Sequence, residues 1–128
     1  MTYAPSTQPA VDFDAYRRHI EAALEHAPGT HTLEDLRDGV RTGAFQLWVA
    51  PHSALLTQIQ QYPQRKVLCL YLAGGLLNEL LDLLPSVLDW ARTQHGCQSA
   101  YIAGRGGWAR VLRKHGWEET QVILERSL

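Results

Sequence analysis

Phe13, Tyr16, Ile20, Ala23 and Leu24 recur at steps of three and four residues, while Arg17, Arg18, Glu21 and Glu25 fall on the opposite side. That spacing predicts an amphipathic helix over Asp12–His26, capped by Asp12 or Asp14 and stopped at Pro28-Gly29. A shorter helix is predicted from Thr32, which forms a capping-box pair with Asp35 three residues on and is closed by Gly43. The period then drops to two. Phe45–Val49 and Leu55–Gln61 alternate as strands joined by Pro51-His52-Ser53, and Lys66–Ala73 (KVLCLYLA) has the continuous apolar character of a strand covered on both faces. Gly74-Gly75 is expected to break that strand. Leu77, Leu80, Leu81, Leu84, Leu88 and Ala91 restore a helical stripe that runs to His95 and stops at Gly96. Pro85 must either kink this helix or stand in the first turn of one starting near Asp82. Gln98–Ala103 is predicted as a strand, Gly104–Gly107 as a loop, Trp108–His115 as a helix, and Glu119–Glu125 as a closing strand. The order α-α-β-β-β-α-β-α-β is a meander followed by a crossover, which predicts an α/β (α+β) fold with a mixed sheet flanked by helices.

With 128 residues the chain has material for one core and not two. Residues 12–128 are read as a single domain behind a flexible tail over residues 1–11. A composition of 45% hydrophobic and 20% charged residues excludes a disordered chain or a coiled coil. Twelve basic residues against thirteen acidic ones create no chain-wide field for phosphates, so nucleic acid is not the expected partner. Asn78, Glu79, Asp82 and Asp89 interrupt the longest apolar stretches, so no membrane span is predicted. The opening residues carry no secretory signal pattern. Cys69 and Cys97 lie in or beside strands, where a small buried thiol is usual, and the six histidines show no ligand spacing, so no metal is expected. A reduced, cytosolic-type protein follows.

The strand ending Leu70-Tyr-Leu-Ala-Gly-Gly75, the helix to Gly96, the strand Tyr101-Ile102-Ala103 and the stretch Ala109-Arg-Val-Leu-Arg-Lys-His-Gly-Trp117 together resemble the GNAT N-acetyltransferase superfamily. Four pieces, HTLEDLRDGVRTGAFQLW, YPQRKVLCLYLAGG, LDWARTQHGC and GRGGWARVLRKHGW, are similar to a group of small GNAT-like proteins encoded by tailed bacteriophages. The resemblance covers roughly residues 30–128 and implies a GNAT-like sheet. It also implies acetyl-CoA as the cofactor, its diphosphate lying on backbone N–H groups at a helix N-terminus. The place that corresponds to the superfamily's phosphate loop reads Ala73-Gly74-Gly75-Leu76-Leu77-Asn78-Glu79, so Ala73, Gly74, Gly75 and Leu76 are the candidate cofactor-binding residues. This is not the superfamily's pattern. No lysine or arginine occurs between Lys66 and Arg92, and Glu79 would repel an anion.

The same resemblance places a proton-donating tyrosine four residues before Gly116, where this chain has Leu112, which cannot donate a proton. Tyr71 and Tyr101, on neighbouring strands, are the candidate substitutes. A general base is commonly a carboxylate on or beside the core strands, yet Leu55–Gln61 and Lys66–Ala73 offer neither carboxylate nor histidine. The nearest imidazole in the sequence is His52, in the turn between the first two strands.

Four positive charges fall between Arg105 and Lys114. Arg105 with the amides of Gly106 and Gly107 forms a second candidate anion site, for a coenzyme phosphate or another phosphorylated ligand. Arg110, Arg113 and Lys114 share a helix face, and Trp108 stands at the helix start as a candidate anchor for a partner. The closing strand would offer a sheet edge to such a partner. The expectation is a phage-encoded GNAT-like protein with a degenerate acyl-CoA site, acting by protein or ligand binding. Its partner would be another phage-encoded protein or a second copy of itself, in the host cytoplasm or the virion. The alternative is an active acetyl-CoA-dependent N-acetyltransferase that modifies an amine on a protein or small molecule.

Overall fold

Alternate residues of the central strands are apolar on both sides, and each side collects its own helices. A computed structural model describes residues 2–27, 29–103 and 106–128. Three helices come first: α1 (Pro9–Ala15), α2 (Arg17–Leu24) and α3 (Leu33–Thr42). Strands β1 (Gln46–Ala50), β2 (Ser53–Gln61) and β3 (Lys66–Gly75) form an antiparallel meander. Helix α4 (Leu77–His95) crosses over to β4 (Ser99–Ile102), which pairs parallel with β3. Helix α5 (Gly106–Leu112) follows and ends in a single 3-10 turn, Arg113–His115. The mixed sheet runs in the order β1-β2-β3-β4.

The core is not the single body expected but is split by the sheet into two layers: one lies between the sheet and α4, built on Trp48, Leu55, Leu68, Leu70, Leu83 and Val87. The other lies between the sheet and α1–α3, built on Phe13, Ile20, Leu36, Leu47, Leu56 and Leu72. Trp48 donates its indole N–H to Thr57 Oγ1 at 3.1 Å, and Thr57 donates to Gln46 Oε1 at 2.8 Å, so the polar atoms between these strands are paired.

The α/β architecture is the one expected, with five local differences. The first helix is two, because Tyr16 leaves helical geometry (φ −106°, ψ 12°) while the stripe Phe13–Tyr16–Ile20 carries on across the break. The tail expected over residues 1–11 is shorter and tied down: α1 starts at Pro9, Tyr3 N–H donates to Ser86 Oγ at 2.9 Å, and Ser6 N–H donates to Leu47 O at 2.7 Å. Gly74 and Gly75 do not break β3 but pair with Ala54 and Ser53 inside its ladder. Pro85 does not open a helix near Asp82 but sits inside α4, on its exposed side, where water can take the carbonyl it leaves unbonded. Finally, Glu119–Glu125 forms no strand: among the described residues it pairs with none of the four strands.

Candidate functional site

Strand β4 is much shorter than its neighbour. It matches β3 only over Val67–Leu70, opposite Ser99–Ile102, and β3 continues five residues further to Gly75. At the point where β4 stops, β3 carries a bulge. Leu70 faces Thr57 and Leu72 faces Leu56, which leaves Tyr71 without an opposite number. One extra residue reverses the alternation, so Leu70 belongs to the α4 core and Leu72 to the other. Beyond the bulge β3 has β2 on one side and, among the described residues, no strand on the other, which leaves a notch there. The walls are Leu55, Leu70, Tyr71, Leu72 and Ala73 on one side and Ile102, Ala103 and Trp108 on the other. The cavity between them is about 40 Å³, room for very few waters. It is narrow and lined mainly by apolar side chains.

Of the two candidate tyrosines, Tyr71 is the one at the notch. Its hydroxyl lies 3.0 Å from Thr30 Oγ1, which lies 2.7 Å from His31 Nδ1. The His31 ring packs 4.8 Å from the Tyr71 ring and edge-on to Phe45. Tyr101 is one register step further back, opposite Cys69, with its hydroxyl accepting from Arg65 and its ring under that guanidinium at 5.5 Å. Burial pushes the Cys69 and Cys97 thiols up, so neither is a ready nucleophile. Leu112 is 2% exposed and part of the α4 core.

A serine and a carboxylate stand beside the start of α4. Leu76 is its N-cap residue, and Leu76 N–H donates to Ser53 Oγ at 2.9 Å. Ser53 Oγ donates in turn to Glu79 Oε1 at 2.8 Å, and the same carboxylate oxygen accepts His52 N–H at 2.8 Å. Gly75, at φ 124°, lies directly against His52 and Ser53, where a side chain would overlap them. Gly74 and Gly75 pair within the β3 ladder, and the Leu76 amide is taken by Ser53. Burial pulls the Glu79 carboxyl up, but the Ser53 hydroxyl, the His52 amide and the nearby imidazoles of His52 and His19 outweigh it. The group is held below its usual range. Helix α4 thus carries its own anion in its first turn.

The second candidate anion site divides differently. Gly104 and Arg105 lie outside the described residues, and Gly106 and Gly107 begin α5, a helix of seven residues. Arg110, Arg113 and Lys114 are exposed, and Arg113 pairs with Glu119 at 3.3 Å. Trp108, expected as a free-standing anchor, is half-buried on the α4 core and walls the notch. Sequence reasoning passed over Thr30, His31 and Ser53. Their only signal is contact with residues far away in the chain, which no local window contains. Among the described residues no helix is long and apolar enough to cross a membrane, and no group of three or more His, Cys, Asp or Glu is placed to hold a metal.

No protein-family model and no curated protein matches this chain. Solved structures do. An acetyltransferase from Trypanosoma brucei superposes with a TM-score of 0.72 at 14% identity, over 98% of this chain and 99% of its own. A GCN5-related N-acetyltransferase from Ralstonia eutropha JMP134 gives 0.67 at 18% identity, covering 98% and 97%. The Thermus thermophilus protein TTHA1254 gives 0.66 at 20% identity, covering 100% and 97%. At these identities the likeness establishes the fold, which is that of GCN5-related (GNAT) N-acetyltransferases.

Proposed function

We propose that this protein is a GNAT-like binding protein whose acyl-CoA site is reduced. Its notch accepts an extended amide-bearing arm, but its α4 start repels the diphosphate that would anchor such a ligand. The observation that carries this reading is the Ser53–Glu79–His52 arrangement, which sets a carboxylate where a diphosphate needs donors and positive charge. Two further features support it: the absence of any cation between Lys66 and Arg92, and the buried Leu112 at the position the resemblance assigns to a proton donor. The setting, a tailed-phage protein in the host cytoplasm or the particle that engages a phage-encoded protein or its own copy, rests on the fragment resemblance. Ala73 and Tyr71 would line the arm, and Arg105 with Gly106 and Gly107 is the remaining place for a phosphate.

A second reading, an active acetyl-CoA-dependent N-acetyltransferase, is favoured by one observation. Tyr71 lines the notch, and its hydroxyl belongs to a chain with Thr30 and His31, so it is the one tyrosine placed to supply the proton a departing thiolate takes up. Calorimetry with acetyl-CoA separates the two. The expected result is binding weaker than about 100 µM, roughly 5.5 kcal/mol, that strengthens in Glu79→Gln as the carboxylate charge is removed. Tighter binding by the unaltered chain, with acyl transfer to an amine that Tyr71→Phe slows, would establish the second reading instead.

A further inference from the structure

The first residues of the chain lie beside the second half of α4. Tyr3 N–H donates to Ser86 Oγ at 2.9 Å, and the Tyr3 side chain packs against the α4 core. Between this segment and the helix lies an open groove of about 390 Å³, within the size range of small-molecule sites. It shares no lining residue with the notch at β3. Tyr3 and Trp90 give it aromatic walls, Ser86, Thr93 and Gln94 give it neutral polar ones, and Asp89 is the one charged group among the described residues that line it. Trp90 is braced by two other rings, Trp48 at 5.4 Å and nearly perpendicular (83°), and His95 at 4.3 Å. It is half-buried and lines the groove with what remains exposed.

Charge narrows the choice of occupant. Arg92, three residues on, meets Asp89 through Oδ1 at 2.9 Å, but the two side chains are 71% and 65% exposed and Arg92 does not line the groove. An exposed pair of this kind is screened by water and weak, so a cation in the groove can share the carboxylate. An anion would meet that carboxylate with nothing in the lining to offset it. A metal ion is a poor fit, because among the described residues no group of three or more His, Cys, Asp or Glu is placed to hold one. A bulky, weakly hydrated organic cation suits both halves of the lining: the electron-rich faces of aromatic rings attract it and the carboxylate balances its charge. We propose that the groove between Tyr3 and α4 binds a small molecule bearing an alkylated ammonium group, its methyl groups against Tyr3 and Trp90 and its charge toward Asp89. The Gln94 amide, donor and acceptor together, is the group for the polar remainder of such a molecule. This site is independent of any ligand in the notch.

The test is a titration of the isotope-labelled full chain with choline chloride, followed through its backbone and indole N–H resonances. Beside it run 3,3-dimethylbutanol, which has the same shape without the charge, and sodium chloride at equal ionic strength. Choline is expected to shift the Trp90 indole and the Ser86, Asp89 and Thr93 amides along a saturating curve, and the uncharged alcohol to bind about fivefold more weakly or not at all. Asp89→Asn, at an exposed position, and Tyr3→Ala, which keeps the backbone bond to Ser86, should each weaken choline by about threefold or more with an unchanged circular dichroism spectrum. The proposal is overturned by linear, non-saturating shifts up to about 50 mM choline, or by shifts that sodium chloride reproduces. Equal binding of the uncharged alcohol overturns it too, as does choline binding that both variants leave intact or that maps away from α4.

Discussion

Gly74 sits where β3 and α2 approach backbone to backbone. A Cβ there would overlap the His19 carbonyl oxygen and press on Ala23. Gly74→Ala should therefore destabilise by about 1–3 kcal/mol through overpacking, read as a lower urea midpoint at unchanged slope. A midpoint equal to the original would show that α2 is not seated there. The glycine pair was recognisable as unusual from its neighbours, but its reason was not. The strand's partner in that contact belongs to a helix far earlier in the chain, so an approach of two backbones looked like a break. The Ser53–Glu79 bond joins residues 26 apart and was hidden for the same cause. Leu112 was different: whether a side chain can give up a proton is a property of its type, and it needs no geometry to read.

Local rules also decided which elements were legible. In α3 the Thr32 hydroxyl accepts Asp35 N–H at 3.1 Å and the Asp35 carboxylate accepts Thr32 N–H at 2.8 Å, the reciprocal cap that four residues of sequence already spell out. Thr32→Ala should cost about 1 kcal/mol, measured by thermal unfolding; no shift in the midpoint would mean the helix start is held by packing alone. The bulge in β3 could not be foreseen this way. KVLCLYLA is apolar at nearly every position, so one inserted residue leaves no mark on its pattern, although it moves Leu72 to the other side of the sheet. Glu119–Glu125 fails for the opposite reason: its pattern is that of a strand, but pairing depends on distant parts of the chain that no local pattern encodes.

Across the whole molecule, charge couples the helical layer to the sheet at one corner. Burial, then Arg18 and His52, hold the His19 imidazole below its usual 6.5. The folded chain thus binds that proton less readily than the unfolded one, so the His19 contribution is complete above about pH 6.5 and is lost as pH falls below it. The Thr32 amide and hydroxyl hold the Asp35 carboxyl below its usual 3.8, while Glu79 lies below 4.5. Their contributions are present above those values and are lost as pH falls through the lower folded ones. All three act in the same direction. Urea midpoints should decline as pH falls below about 6.5 and again below about pH 4.5, and His19→Gln should remove only the first decline. A flat profile in the unaltered chain, or the same first decline in His19→Gln, would contradict this origin.

The two layers also differ in what light can see. Trp48 belongs to the α4 core, and Trp90, Trp108 and Trp117 all pack against it, which accounts for every indole in the chain. The layer made by α1–α3 has Phe13, Tyr16 and Tyr71 instead. Intrinsic emission is therefore a one-sided probe. Loosening of α1–α3 would pass almost unseen in it and surface only in helical dichroism, so a gap between those two melting curves would report the order in which the layers come apart.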